Sequence, residues 1–133
     1  MRRFRGYIFS RPFLGERVPQ SVQNLVIRDF CNKNKIFLLL SATEYAMKGS
    51  DLMLFKIVQE LQNIEGIILY SIFQLPEVKE RRLEFLNKVL SLEKSVFFAL
   101  EGILTDKKSD LDTVNDIWNI KKTLPKCLNR LSQ

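Results

Sequence analysis

The stretch RGYIFSRPF, residues Arg5–Phe13, joins an uninterrupted apolar run to an abrupt polar end. Gly6–Phe9 read as a strand covered on both faces, because the run does not alternate between apolar and polar residues. Ser10 and Arg11 leave the apolar run side by side. The stretch therefore predicts the central first strand of a parallel sheet, with a hydroxyl and a guanidinium at its carboxyl end.

Three further apolar runs resemble the first, at residues 36–40, 66–70 and 95–100. The segments between them carry apolar residues at helical spacing, and each is long enough for a right-handed crossover. The alternation predicts a doubly wound α/β domain with a mainly parallel four-stranded sheet in the order 2-1-3-4. We expect one domain over residues 1–133, with a βα core at 1–103 and a helical region at 104–133.

The helical region ends in a proline-containing segment. Pro125 predicts that a helix stops near Leu124, followed by one or two further helical turns. The apolar residues Ile117, Trp118, Ile120 and Leu124 exceed what one buried helix face needs. They predict a homo-oligomer.

Composition excludes several classes of chemistry. The chain of 133 residues has no histidine, which removes Ser-His-Asp and Cys-His relays and every histidine metal site. Two cysteines make a disulfide framework or a structural zinc site improbable. No signal peptide and no apolar run of membrane-spanning length is recognisable, so we expect the protein in the cytoplasm. From the same composition we expect no bound metal.

The net charge of +6 is unevenly distributed. Residues 1–48 hold nine of the 21 lysines and arginines but only three of the 15 acids. A basic first third attracts anionic ligands or nucleic acid. The five glycines form neither a dinucleotide-binding fingerprint nor a P-loop.

Most of the polar residues of interest follow the predicted strands. Open parallel sheets bind ligands outside the carboxyl ends of their strands, where the strand order reverses. Arg11 and Arg17 are predicted to hold an anionic group, Ser10 to orient or attack, and Glu44 or Glu101 to supply acid-base catalysis. The other predicted ligand-binding residues are Ser41, Thr43, Tyr45, Tyr70, Ser71 and Gln74.

Each of these residues also has a structural interpretation. Ser10 could bond the turn that follows its strand, and Arg11 could pair with Glu16 at the surface. Glu44 and Glu101 could be loop acids, or could share a divalent cation if they converge. The sequence leaves these alternatives open.

In element order and spacing, residues 4–103 resemble the catalytic domain of serine recombinases, the resolvases and invertases. That family has a Tyr-x-Arg-x-Ser strand end and an Asp-Arg-Leu-x-Arg loop after the third strand. Here Tyr7–Arg11 read Tyr-Ile-Phe-Ser-Arg, and Ser71–Pro76 contain no arginine. The resemblance implies the fold, but the missing positive charge argues against attack on a DNA phosphodiester.

Several motifs resemble the sporadic carbohydrate cluster proteins, a bacterial family of unknown activity. They are RGYIFSRPFLGERVPQSVQNLVIRDFC, LLSATEYAMKGS, GIILYSIFQLPE, ERR and ALEGI, within residues 5–103. This resemblance implies a place in surface-polysaccharide or lipopolysaccharide biosynthesis. It names no reaction and no cofactor.

Three functions are therefore carried forward. The first is an enzyme or enzyme subunit that binds a sugar, sugar phosphate or nucleotide sugar. The second is a noncatalytic scaffold for carbohydrate-pathway enzymes. The third is a recombinase-fold protein that binds nucleic acid without cleaving it.

Overall fold

A computed structural model describes residues 2–131 of the chain, with side chains as far as residue 120. The strands are β1 (Arg2–Phe9), β2 (Ile36–Glu44), β3 (Gly66–Leu69), β4 (Ser95–Phe98) and β5 (Ile103–Thr105). The helices are α1 (Gln20–Lys33), α2 (Leu52–Val58), α3 (Lys79–Ser91) and α4 (Asp110–Leu131), and a 3-10 turn spans Ile72–Gln74.

The sheet has the order β2-β1-β3-β4-β5. The first three pairings are parallel, as the predicted order 2-1-3-4 requires, and β5 adds an antiparallel fifth strand. Gly102 turns the chain back after β4: its φ is +66°, and its N–H donates to the Phe98 carbonyl at 2.9 Å. A left-handed residue costs glycine little, which explains why the turn uses it.

Side chains alternate between two apolar layers on opposite faces of the sheet. Tyr7 and Phe9 of β1 pack into the layer that α2, α3 and α4 cover. Phe4 and Ile8 point the other way, into the layer under α1. The fold is therefore doubly wound, with three helices on one face and one on the other.

A bulge interrupts the pairing of β1 with β2. Arg5 lies opposite Leu39, but Tyr7 lies opposite Ala42, so β2 carries one extra residue. The Arg5 guanidinium bonds the Leu40 carbonyl at 2.7 Å, which satisfies an acceptor at the irregularity. The N-terminal half of β2 keeps a regular register with β1.

The C-terminal region is one helix rather than two. Helix α4 continues through Pro125 to Leu131, so the predicted stop near Leu124 is wrong. Trp118 is buried, packed against Phe73 with 5.5 Å between ring centroids, whereas Ile120 is 60% exposed. The side chain of Leu124 lies outside the described residues. No helix in the described part of the chain is both long and apolar enough to cross a membrane.

Candidate functional site

The predicted crevice between β1 and β3 is filled by two glutamine side chains. Because β3 ends at Leu69, the backbone of Phe9 has no strand neighbour on that side. The Gln23 amide takes that place: its Oε1 accepts from Phe9 N and its Nε2 donates to Phe9 O, both at 2.9 Å. Gln74 donates to Gln23 Oε1 at 2.7 Å, which connects the amides of the two side chains. Gln74 is thus buried inside the fold and does not face an open site.

Glu44 is a buried carboxylate that accepts hydrogen bonds from three segments. It is 1% exposed and accepts from the Tyr7 hydroxyl at 2.8 Å and the Ser50 hydroxyl at 2.9 Å. The backbone N–H groups of Met53 and Leu54 donate to it at 3.1 to 3.2 Å, which caps the first turn of α2. Burial, with the adjacent Glu44 charge, raises the pKa of Tyr7 above its ordinary value, so the phenol stays a donor.

Glu101 forms a second carboxylate cap. Its oxygens accept from the Ser71 hydroxyl at 2.8 Å and from Ile72 N at 2.9 Å, at the start of the 3-10 turn. Tyr70 is buried beside it, and this burial, together with the charges of Glu101 and Glu16, raises the pKa of the Tyr70 phenol. The Ser71 hydroxyl and the Glu101 carboxylate are therefore hydrogen-bonded to each other.

The two carboxylates do not converge. Glu44 ends β2 and Glu101 follows β4, and β1 and β3 lie between those strands. Three strand spacings amount to about 14 Å, too far for both acids to touch one reacting atom or one cation. Across the described residues, no cluster of three or more acidic, cysteine or histidine side chains forms a metal site.

The loop after β1 is bound to the loop after β2. The Ser10 hydroxyl donates to the Glu44 carbonyl at 3.3 Å. Arg11 donates through Nη1 to the carbonyls of Tyr45 at 3.1 Å and Met47 at 3.4 Å, and its guanidinium lies 4.0 Å above the Phe9 ring. Arg11 thus bonds loop carbonyls instead of pairing with Glu16. The Tyr45 side chain is half exposed, and Arg17 is exposed on the loop before α1.

A pocket of about 330 Å³ opens beside this loop contact, at the carboxyl edge of the sheet; we call it the edge pocket. Its lining residues are Phe9, Arg11, Pro12, Phe13, Ala46, Lys48, Gly49, Phe73, Leu75, Pro76 and Glu77. Arg11 is the one predicted site residue among them. Lys48 and Glu77 were not among the predicted residues, although both lie in connections that follow strand ends, as the other predicted residues do.

Ser41 and Thr43 line a different depression. It has a volume of about 620 Å³ and runs between β2 and α1, on the face of the sheet that α1 covers. The predicted site residues are therefore divided among the edge pocket, this groove and the hydrogen-bond networks, and Tyr45 and Arg17 are exposed outside all of them.

Two solved structures have the same architecture. A resolvase family site-specific recombinase from Streptococcus pneumoniae is similar over 98% of this chain and 99% of that chain, with a TM-score of 0.62 and 10% identity. The N-terminal catalytic domain of TP901-1 integrase is similar over 92% of this chain and 98% of that chain, with a TM-score of 0.64 and 12% identity. The fold is resolvase-like.

The sequence matches no protein-family model and no curated protein. The structural similarity confirms the predicted fold and leaves the reaction open, because unrelated functions share folds. The resemblance to sporadic carbohydrate cluster proteins has no counterpart among these similarities and stays a prediction.

Proposed function

We propose that the edge pocket binds a phosphorylated carbohydrate, either a sugar phosphate or a nucleotide sugar. The ligand would be an intermediate in the biosynthesis of surface carbohydrates, and the protein would act in the cytoplasm. The observation that carries the proposal is that Arg11 and Lys48 both line one mainly apolar pocket. A volume of about 330 Å³ lies within the range typical of small-ligand sites. Two cations against one acid, Glu77, favour an anionic ligand.

The arginine keeps donors for such a ligand. Both loop carbonyls are bonded through Nη1 of Arg11, which leaves the N–H groups of Nε and Nη2 for a phosphate. Lys48 is exposed and has no partner among the described residues. Phe13, which is partly exposed in the lining, gives the pocket an apolar side for a sugar or a base.

Binding is the function that the geometry supports, and turnover is a further prediction. Glu44 and Glu101 already accept hydrogen bonds as caps, so a catalytic role would require them to give up those bonds. Ser10 donates to the backbone carbonyl of Glu44, and among the described residues its hydroxyl has no hydrogen bond to a side-chain base. A carbohydrate-binding subunit or scaffold therefore accounts for more of the structure than an enzyme does.

Thermal shift with defined ligands tests the proposal. We expect glucose 1-phosphate, UDP-glucose or related compounds to raise the melting temperature by roughly 10 °C at a hundredfold excess over Kd. Lys48→Gln should weaken binding tenfold or more without changing the melting temperature of the free protein. Arg28→Gln removes an equal charge outside the pocket and should leave binding unchanged. A folded protein that gives no shift with any compound of the panel at millimolar concentration would refute the proposal.

Nucleic-acid binding is a second candidate, because a neighbouring structure is a site-specific recombinase and this chain carries a net charge of +6. Arg3 and Arg5 nevertheless do not share one surface with Arg11. Arg3 and Arg5 lie near the amino end of β1, paired with Glu65 and Glu60, roughly 20 Å from Arg11. Fluorescence anisotropy with duplex DNA at several salt concentrations tests whether the protein binds nucleic acid. A logarithmic salt slope steeper than about −4 would favour this candidate.

A further inference from the structure

The groove between β2 and α1 has one polar wall. Gln20, Asn24, Arg28 and Asn32 recur at intervals of four, which places them along one side of α1, and all four line the groove. The wall is about 18 Å long at the rise of an α-helix. Ser41 and Thr43 of β2 add hydroxyl groups, so the groove offers hydrogen-bonding side chains along its whole length.

Strand β2 forms the other side of the groove and is an edge of the sheet. The strand order gives it one neighbour, β1, so the backbone groups on its outer side have no strand partner. No charged residue occurs over residues 36–43, and Phe37 and Leu40 are 53% and 86% exposed. A long, uncharged edge strand is a template for one more strand.

The bulge limits where a further strand can pair. Residues Ile36–Leu39 keep a regular register with Arg2–Arg5, and the irregularity begins at Leu40. An added strand therefore has a regular edge of four residues beside it. That length matches a short extended segment rather than a whole sheet, as in peptide recognition by strand addition.

Charge indicates what the segment carries. Arg28 is exposed and, within the part of the chain that the structure describes, forms no ion pair. No acidic residue lines the groove, and Asp29, the next residue on α1, is bonded to Lys33 at 2.9 Å. A second copy of this chain would bring another uncompensated Arg28 and another uncharged strand. An acid-bearing partner is the complementary one.

We propose that this groove binds an extended acidic peptide segment of a partner protein. The segment adds a strand along Ile36–Leu39 and places a carboxylate, from a side chain or from a chain end, at Arg28. Its binding does not depend on the edge pocket, which lies at the carboxyl edge of the sheet. The chain would thus present a peptide site on the α1 face in addition to its ligand pocket.

Selection from a random octapeptide library tests the proposal, with the intact protein immobilised and peptides displayed with free or amidated C-termini. Enriched peptides should carry an acid at one fixed position, or should require the free carboxylate, and Arg28→Gln should weaken them tenfold or more. Arg11→Gln, which acts on the edge pocket, should leave them unchanged. N-methylation of alternate peptide residues should abolish binding in one register and spare it in the other.

Several results would overturn this assignment. They are failure to enrich any peptide, equal binding to Arg28→Gln and the parent protein, and equal tolerance of both N-methyl registers. A concentration-dependent dimer that Leu40→Lys abolishes would assign the edge to a second copy instead. Failure of the sugar-phosphate panel would leave the peptide result unaffected, because the two sites share no lining residue.

Discussion

At the scale of single residues, Glu44 has the most hydrogen bonds to lose. Its carboxylate accepts hydrogen bonds from two side-chain hydroxyls and from backbone N–H groups of α2, and the residue is 1% exposed. Glu44→Gln replaces one acceptor oxygen by an NH₂ group, which would face donors. We expect a loss of about 2 to 4 kcal/mol in the free energy of unfolding, measured by urea denaturation with an unchanged m-value.

Glu60→Gln is the matched control for Glu44→Gln. Glu60 pairs with Arg5 at the surface, with its side chain 44% exposed, so its replacement should cost less than about 1 kcal/mol. If Glu44→Gln left the unfolding midpoint unchanged while abolishing an activity, the carboxylate would be catalytic and the structural interpretation wrong.

Cys31 is a buried thiol at the inner face of α1, 1% exposed. Burial raises the pKa of the Cys31 thiol from 9.0 to about 11. Because the folded state holds the proton more tightly, this contribution to stability is complete below pH 9 and is lost as the pH rises towards 11.

In a Cys127→Ser background, we expect iodoacetamide at pH 8 to modify the native protein far more slowly than the urea-unfolded chain. Equal rates would show that the thiol is open to solvent.

Individual site residues were only partly predictable. The rule that ligands lie at strand ends predicted that Arg11 lies at the carboxyl edge of the sheet, where it lines the edge pocket, because its position depends on the end of one apolar run. It could not show that Glu44 and Glu101 would be used as caps, since that depends on where α2 and the 3-10 turn begin in space. Arg28, on which the proposed peptide groove depends, could not be singled out because one arginine on a polar helix face has no distinguishing pattern in sequence.

At the scale of elements, two glycines of the sheet leave no room for a Cβ atom, each because of a different neighbouring group. A Cβ on Gly6 would lie 2.2 Å from Ser41 Oγ, within the bulge of β2. A Cβ on Gly66 would lie 2.2 Å from the backbone carbonyl of Ser95, on a neighbouring strand. A hydroxyl can rotate away, whereas a backbone carbonyl in a ladder cannot move without disturbing the pairing.

We therefore expect Gly66→Ala to destabilise the protein more than Gly6→Ala, each by roughly 1 to 3 kcal/mol or more. Adding Ser41→Gly should recover most of the Gly6→Ala loss and none of the Gly66→Ala loss, as measured by thermal denaturation of the four variants. Failure of Ser41→Gly to discriminate between the two alanine variants would mean that the bulge does not determine the requirement for Gly6.

The elements that follow from local pattern were predicted, and those that follow from tertiary contacts were not. The runs that became β1 to β4 are apolar enough to be recognised alone. Strand β5 has three residues and forms only because Gly102 returns the chain beside β4. The bulge in β2 lies opposite Gly6 of another strand, so the sequence of β2 by itself could not reveal it.

At the scale of the whole molecule, α4 is connected to the rest of the fold by a buried arginine. Arg82 of α3 is 3% exposed, donates to the carbonyls of Pro76 and Glu77, and lies 4.2 Å above the Trp118 ring. Burial lowers the pKa of Arg82, but its guanidinium remains charged at any ordinary pH. One side chain thus joins the start of α3 to the buried face of α4.

This contact makes residues 1–103 an incomplete core, because Val114 and Trp118 of α4 fill the same apolar layer as α2 and α3. We expect one cooperative transition, in which the fluorescence of Trp118, the chain's one tryptophan, and the far-UV circular dichroism give the same urea midpoint. Arg82→Met should lower both midpoints together, by about 2 to 4 kcal/mol in the free energy of unfolding, because the carbonyls of Pro76 and Glu77 and the Asn115 Oδ1 lose their donor. Lys79→Met, on the exposed first turn of α3, controls for the loss of charge. A fluorescence midpoint clearly below the circular dichroism midpoint would show that α4 unfolds as a separate unit, and the prediction of one domain over residues 1–133 would then be wrong.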